Sequence, residues 1–338
     1  MNKFFKVSIF AALFGVLAVG CEKIQEGFMS HNVRYVDIDI FCIRGASLSA
    51  SGRIDGDGST PPYKFKMLNL RDAATGAPAP AEFETEYEIL VFKKGQVFNP
   101  DTDTTVALLN SKRETITTKP YQFNEVSGQI VFNRASANLP LGVYAYDVEF
   151  TNPNGTRVFE NIARINVVEP TVDDVFEVTG QGCTGSDINE VFTGQVGGPL
   201  FSCTKISNEG ARVILKIVDK NGEPWNPAAG EIVKRGDRPM FETYAKFNPV
   251  VMTDTAMICD FEVAPFPLTN YVDETDYDWG FLMYYRIPMR FASLDNYPNH
   301  NINPLMGFRV KMEGTYVVEV KLPAVTRVVT SGPAPGGA

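Results

Sequence analysis

The 338-residue chain carries 31 basic and 40 acidic side chains, for a formal charge of -9, together with 24 phenylalanines and 13 tyrosines. An acidic balance without basic blocks excludes the electrostatic footprint of a nucleic-acid binder and a polybasic grip on anionic lipid. The length allows two domains, and 28 glycines with 22 prolines break the chain at short intervals, as short strands require.

Taken in order, Lys3 and Lys6 precede an apolar run over residues 7–19 that closes on Ala18-Val19-Gly20-Cys21. A basic head, a short apolar stretch and a small residue before a cysteine form a lipoprotein export signal. The expected processing removes residues 1–20, lipidates Cys21 and leaves residues 21–30 as a tether. The apolar run is shorter than the roughly 20 residues that a membrane-spanning helix needs.

Residues 35–42 alternate, with Val36, Ile38, Ile40 and Cys42 on the face expected to be core. Residues 87–92, 106–110, 129–132, 143–150 and 157–168 read as further strands. In the fourth of these Tyr144, Tyr146, Val148 and Phe150 share one face, and Asn152-Pro153-Asn154-Gly155 turns the chain into the fifth as a hairpin. Leu141-Gly142-Val143-Tyr144 leading to Tyr146 resembles the late-strand segment of bacterial immunoglobulin-like domains. Residues 169–175 read as a linker and Gly180 to Ser207 as glycine-rich and irregular. Strands resume at 211–219, 256–261, 281–290, 307–312 and 315–322, with Val213, Leu215 and Ile217, then Tyr316, Val318, Val320 and Leu322, on inward faces. The expected fold is all-β: two tandem antiparallel β-sandwich domains, the first immunoglobulin-like over 31–168 and the second over 176–330, with a disordered tail at 331–338.

Four cysteines follow Cys21: Cys42, Cys183, Cys203 and Cys259. Cys183 and Cys203 lie in turn-rich sequence and are the candidate disulfide, with free buried thiols as the other reading. Gly180-Gln181-Gly182-Cys183-Thr184-Gly185 matches a dinucleotide fingerprint by letter, but no helix follows to receive a pyrophosphate, so no nucleotide site is expected. Asp273, Asp276 and Asp278 crowd one segment and are either a solvated turn or ligands for calcium, the one cofactor left open. His31 and His300 have no metal-ligand neighbours in sequence, no Gly-x-Ser-x-Gly elbow is present, and no enzyme is expected. Trp225, Trp279, Tyr284 and Tyr285 are the candidate ligand platform, because flat rings stack on sugar faces while Asn, Asp and Arg neighbours bond hydroxyls. The competing reading is that the same rings fill a core.

Several short motifs run through the chain. They are Glu26-Gly27-Phe28-Met29-Ser30, Asp101-Thr102-Asp103-Thr104-Thr105, Ser127-Gly128-Gln129-Ile130, Val218-Asp219-Lys220-Asn221-Gly222, Thr253-Asp254-Thr255-Ala256, Ala264-Pro265-Phe266-Pro267, Tyr284-Tyr285-Arg286-Ile287-Pro288 and Gly314-Thr315-Tyr316. Together they resemble a family of Bacteroidetes lipoproteins encoded beside SusC/SusD-type nutrient-uptake systems. The resemblance implies a lipid-anchored place on the outer membrane facing the exterior, and an accessory role in polymer capture. The implied partners are a SusC/SusD-like transporter complex and a polysaccharide or oligosaccharide, and no catalytic residues are implied. The alternative is a structural or adhesive surface lipoprotein whose sandwich domains act as spacers.

Overall fold

The computed structural model describes residues 27–294 and 299–329. The export signal, Cys21, most of the tether and the expected C-terminal tail lie outside the described residues. The described chain is built mainly of strands and falls into two compact units.

In the first unit (through Arg44, Leu48–Glu86 and Lys119–Val168) the larger sheet orders its strands Asp39–Ile43, Gly155–Val168, Gly142–Asn152, Lys64–Asp72. Asn152 pairs with Gly155, the hairpin that the sequence signals. Tyr144, Tyr146, Val148 and Phe150 are all buried, as their alternation predicts. A bulge between Tyr146 and Val148 sets off Asp147, whose carboxylate receives Arg71 at 2.7 Å, Asn69 Nδ2 at 2.9 Å and the Asn161 N–H at 2.8 Å. A smaller sheet of Ser49–Ala50, Ile130–Phe132 and Tyr121–Phe123 helps to enclose a core rich in Phe65, Phe132, Tyr146 and Phe150. Residues 35–42 are not one strand. Arg34–Tyr35 pairs with Ile54–Asp55, and Asp39–Ile43 pairs in parallel with the 155–168 strand. The break between them changes the phase of alternation, so Tyr35 is buried while Val36 is 82% exposed and Ile38 points outward.

The second unit comprises Gly45–Ser47, Tyr87–Thr118 and the chain from Glu169 onward, so residues 87–118 pack with it rather than with the flanking sequence. In that arm the strands Tyr87–Phe92 and Arg113–Thr118 pair, and residues 106–110, expected as a strand, form the helix Val106–Ser111. The Thr105 side chain caps this helix by accepting the Leu108 N–H, a local bond that outweighs the β-propensity of Val106. Arg113 ties the arm down through the Glu262 carbonyl at 2.7 Å and its carboxylate at 3.3 Å. Residues 169–175, expected as a linker, carry a short helix, Val172–Val175, opened by a Thr171/Asp174 capping box.

Two five-stranded sheets form the body of this unit. One runs Phe192–Gln195, Phe176–Ser186, Asn301–Val310, Leu282–Arg286, Val233–Lys234, and the other Leu200–Ser207, Gly314–Lys321, Ala211–Val218, Met257–Asp260, Val251–Met252. Val213, Leu215 and Ile217 from the second sheet and Met283, Met306 and Phe308 from the first share one buried core. Each unit thus adds one parallel pair to otherwise antiparallel sheets, here 211–218 beside 314–321. The 180–207 segment is three strands rather than an irregular loop. Gly180 in this segment serves sheet packing, since a Cβ there would collide with the Leu282 side chain, and on the neighbouring 301–310 strand a Cβ at Gly307 would meet Thr179 Oγ1 at 2.6 Å.

Candidate functional site

Asp273 organises the turn that carries Trp279 in the second unit. One carboxylate oxygen accepts the Thr275 N–H (2.8 Å), the Thr275 hydroxyl (2.7 Å) and the Tyr277 N–H (3.1 Å), fixing the turn between the strands Tyr271–Val272 and Asp278–Gly280. Its other oxygen accepts the Trp279 indole N–H at 2.8 Å. These bonds, led by those from Thr275 and Trp279, hold the Asp273 carboxyl down at about 2. Trp279 is fixed further by Tyr277 and Tyr284, whose rings meet it edge to face with centroids 4.9 and 5.5 Å away.

Trp279 stands in the wall of a cleft of about 820 Å³ that also takes in Tyr271, Phe192, Arg235, Arg238 and Arg286. Strand register explains the convergence. Val233 pairs with Arg286 and Lys234 with Tyr285, so the tight turn that follows sets Arg235 and Arg238 beside the end of the 282–286 strand. Arg238 lies over the Tyr284 ring, 5.2 Å from its centroid. Arg286 is held from both ends: its Nε donates to Asn303 at 3.1 Å and its two terminal nitrogens form a fork on Glu190. Asn303, almost fully buried, donates in turn to Ser186 Oγ at 3.0 Å, which anchors the set to the neighbouring strand.

The four candidate aromatics separate. Trp279 and Tyr284 are both half-buried and in contact, Trp279 in the cleft wall and Tyr284 packed edge to face against it. Trp225 is fully buried, with its indole N–H on the Phe291 carbonyl at 2.9 Å, and cannot present a face to a ligand. Tyr285 is buried as well; its hydroxyl donates to Glu242 at 2.7 Å and accepts the Phe241 N–H at 2.9 Å, and burial first, then Glu242, raises its pKa well above the ordinary phenol value. Of the candidate calcium ligands, Asp273 is occupied by its turn and Asp278 by Asn270 and the Gly280 N–H, while Asp276 sits in the left-handed region at φ 63°. Among the described residues no group of three acidic, His or Cys side chains is placed to hold a metal ion. Cys183 and Cys203 are free thiols on strands of different sheets, and burial pushes their thiols up to about 12 and about 11.

Sequence reasoning missed Arg235, Arg238, Arg286, Glu190 and Phe192. Alternation along 282–286 was the available signal, because it puts Tyr284 and Arg286 on one face and Met283 and Tyr285, both buried, on the other. Nothing local in the sequence marks Arg235 or Arg238, which come to the site only through strand pairing.

Fold and cleft together define an all-β sandwich protein whose second unit carries a polar, aromatic-walled groove suited to holding a ligand against flat rings and guanidinium groups. No protein-family model matches the chain, and no curated protein matches it. Among solved structures, a weak likeness is to a SusE-like surface-located polysaccharide-binding protein from the Bacteroides thetaiotaomicron heparin utilisation locus. It shows 10% identity and a TM-score of 0.20, covering 86% of this chain and 53% of that one. The chain therefore spans about half the length of that protein.

Proposed function

We propose that this chain is a non-catalytic, glycan-binding surface lipoprotein, anchored through Cys21 to the outer membrane, facing the exterior and acting beside a SusC/SusD-type transporter complex, with an immunoglobulin-like first domain. The observation that carries the binding part is Trp279, held rigid by Asp273, Tyr277 and Tyr284 in the wall of a cleft large enough for a sugar unit. A fixed indole loses little conformational freedom when a pyranose ring stacks on it, so stacking free energy is retained as affinity. The export signal and the motif resemblance support the location and the partner.

Affinity electrophoresis of the full chain through gels containing a panel of polysaccharides tests the binding. Trp279→Ala is expected to lower retention by the bound polymer about tenfold or more, the weight of one lost stacking contact. Unchanged migration of the wild-type chain in every gel would sink the glycan reading and leave a structural or adhesive surface protein as the better account.

A further inference from the structure

We propose that the cleft selects acidic glycans: Arg235, Arg238 and Arg286 receive a carboxylate or sulfate carried by the sugar that packs at Trp279. This names the ligand class of the same cleft and so rests on its glycan reading. Three guanidinium groups converge here in a chain whose overall charge is -9. Their states differ in a way that leaves one position open. Arg286 is neutralised by Glu190 and oriented by Asn303, and Arg238 is spread over the Tyr284 ring. Arg235 is half-buried and, among the described residues, its guanidinium has neither a hydrogen bond nor an ion-pair partner. Burial first, and then the like charges of Arg238 and Arg286, bring its pKa down from the ordinary arginine value against the smaller opposing effects of Tyr284 and Glu190, and it stays cationic.

A cation without a hydrogen-bonded partner, beside a ring-stacked arginine and a Glu190-paired one, leaves a place that an oxyanion would fill. A guanidinium fork also fits the planar geometry of a carboxylate or the oxygens of a sulfate better than a neutral hydroxyl. The cleft has its own carboxylates, and their disposition matters. Glu190 is engaged by Arg286 and Asp273 by its turn, while Asp237 and Glu274 are exposed to solvent, where screening weakens their opposition. Glu190 holds a left-handed backbone at φ 64°, unusual for a glutamate. Its fork on Arg286 occupies the place that a ligand carboxylate would take, so ligand and Glu190 compete for that arginine.

The test uses the full chain with polygalacturonate, the same polymer after carboxyl reduction, and chondroitin with and without its sulfates. The acidic polymers should be held about tenfold more tightly than the carboxyl-reduced one, with retention falling as salt rises from about 0.05 to about 0.5 M. Arg235→Gln should bring that ratio close to one without lowering the melting temperature, and Glu190→Gln should raise it. The two chondroitins identify which oxyanion is preferred. If neutral and acidic polymers are held equally, Arg235→Gln changes nothing and Trp279→Ala releases both, the oxyanion inference is wrong and the glycan site stands. If no probe is retained, or retention ignores both substitutions, the two readings fall together.

Discussion

Asp219 and Asp273 open the same turn twice. In each, one carboxylate oxygen takes the N–H groups two and four residues on: Asn221 at 2.7 Å and Glu223 at 3.0 Å, and Thr275 at 2.8 Å and Tyr277 at 3.1 Å. In each, the Asp N–H returns to the carbonyl of the fourth residue, and a left-handed residue, Gly222 or Asp276, occupies the third place. A tryptophan follows at the same spacing, Trp225 in one and Trp279 in the other. Their fates are opposite. Trp225 descends into the core and bonds the Phe291 carbonyl, while Trp279 stays in the cleft wall and bonds its own turn's aspartate. Asp187 makes a third such turn, with Asn189 at 2.9 Å and Val191 at 2.8 Å on its carboxylate and Glu190 in the left-handed place, and it supplies Glu190 and Phe192 to the cleft. One local design thus serves as core anchor or as site wall, and the surrounding sheets decide which.

The sharpest way to break this comparison is to truncate both tryptophans. Trp225→Ala removes a fully buried indole and should cost about 3–5 kcal/mol in urea unfolding. Trp279→Ala should cost no more than about 1 kcal/mol, so equal losses would mean that the cleft wall is structural.

Acid separates the two turns next. The Asp219 carboxyl is held below its ordinary value because the N–H groups of Arg327, Glu223 and Asn221 outweigh the opposing effect of burial, and Asp273 lies at about 2. A depressed folded-state pKa gives stability that is fully present above the unfolded value, about 4, and is lost as pH falls toward the folded one. The chain has only two tryptophans, so its two indole N–H resonances report separately. The Trp279 resonance, bonded to a carboxylate, should shift as pH falls toward about 2, and the step should vanish in Asp273→Asn. The Trp225 resonance, bonded to a carbonyl, should hold its position until global unfolding.

The smallest effects come from the left-handed residues. Gly222→Ala should destabilise by about 1 kcal/mol, while Asp276→Gly should stabilise by up to about 1 kcal/mol in thermal unfolding. The same sign for both would show that the turns are not equivalent.

Much of the fold was legible where one face of a strand is buried throughout. The inward sets Tyr144 to Phe150, Val213 to Ile217 and Tyr316 to Leu322 follow directly from alternation, because each strand has neighbours on both sides and one dry face. Reading failed where local bonds or sheet changes intervened, as at Thr105, which caps a helix over strand-like residues, and at residues 36–38, where the chain passes from one sheet to another. Within the site, Trp279 and Tyr284 were legible as aromatics beside turn residues, but Trp225 carried the same signals and is core.

By itself, the sequence determined the all-β composition, the turns and the pool of aromatic candidates, because strand alternation and Asx-type turns depend on residues within a few positions of one another. Tertiary structure alone decided which tryptophan is walled in, brought Arg235 and Arg238 beside Arg286, and joined Ser186 to Asn303. Those outcomes depend on pairing between strands far apart in the chain, and pairing register leaves no local mark on the residues that it brings together.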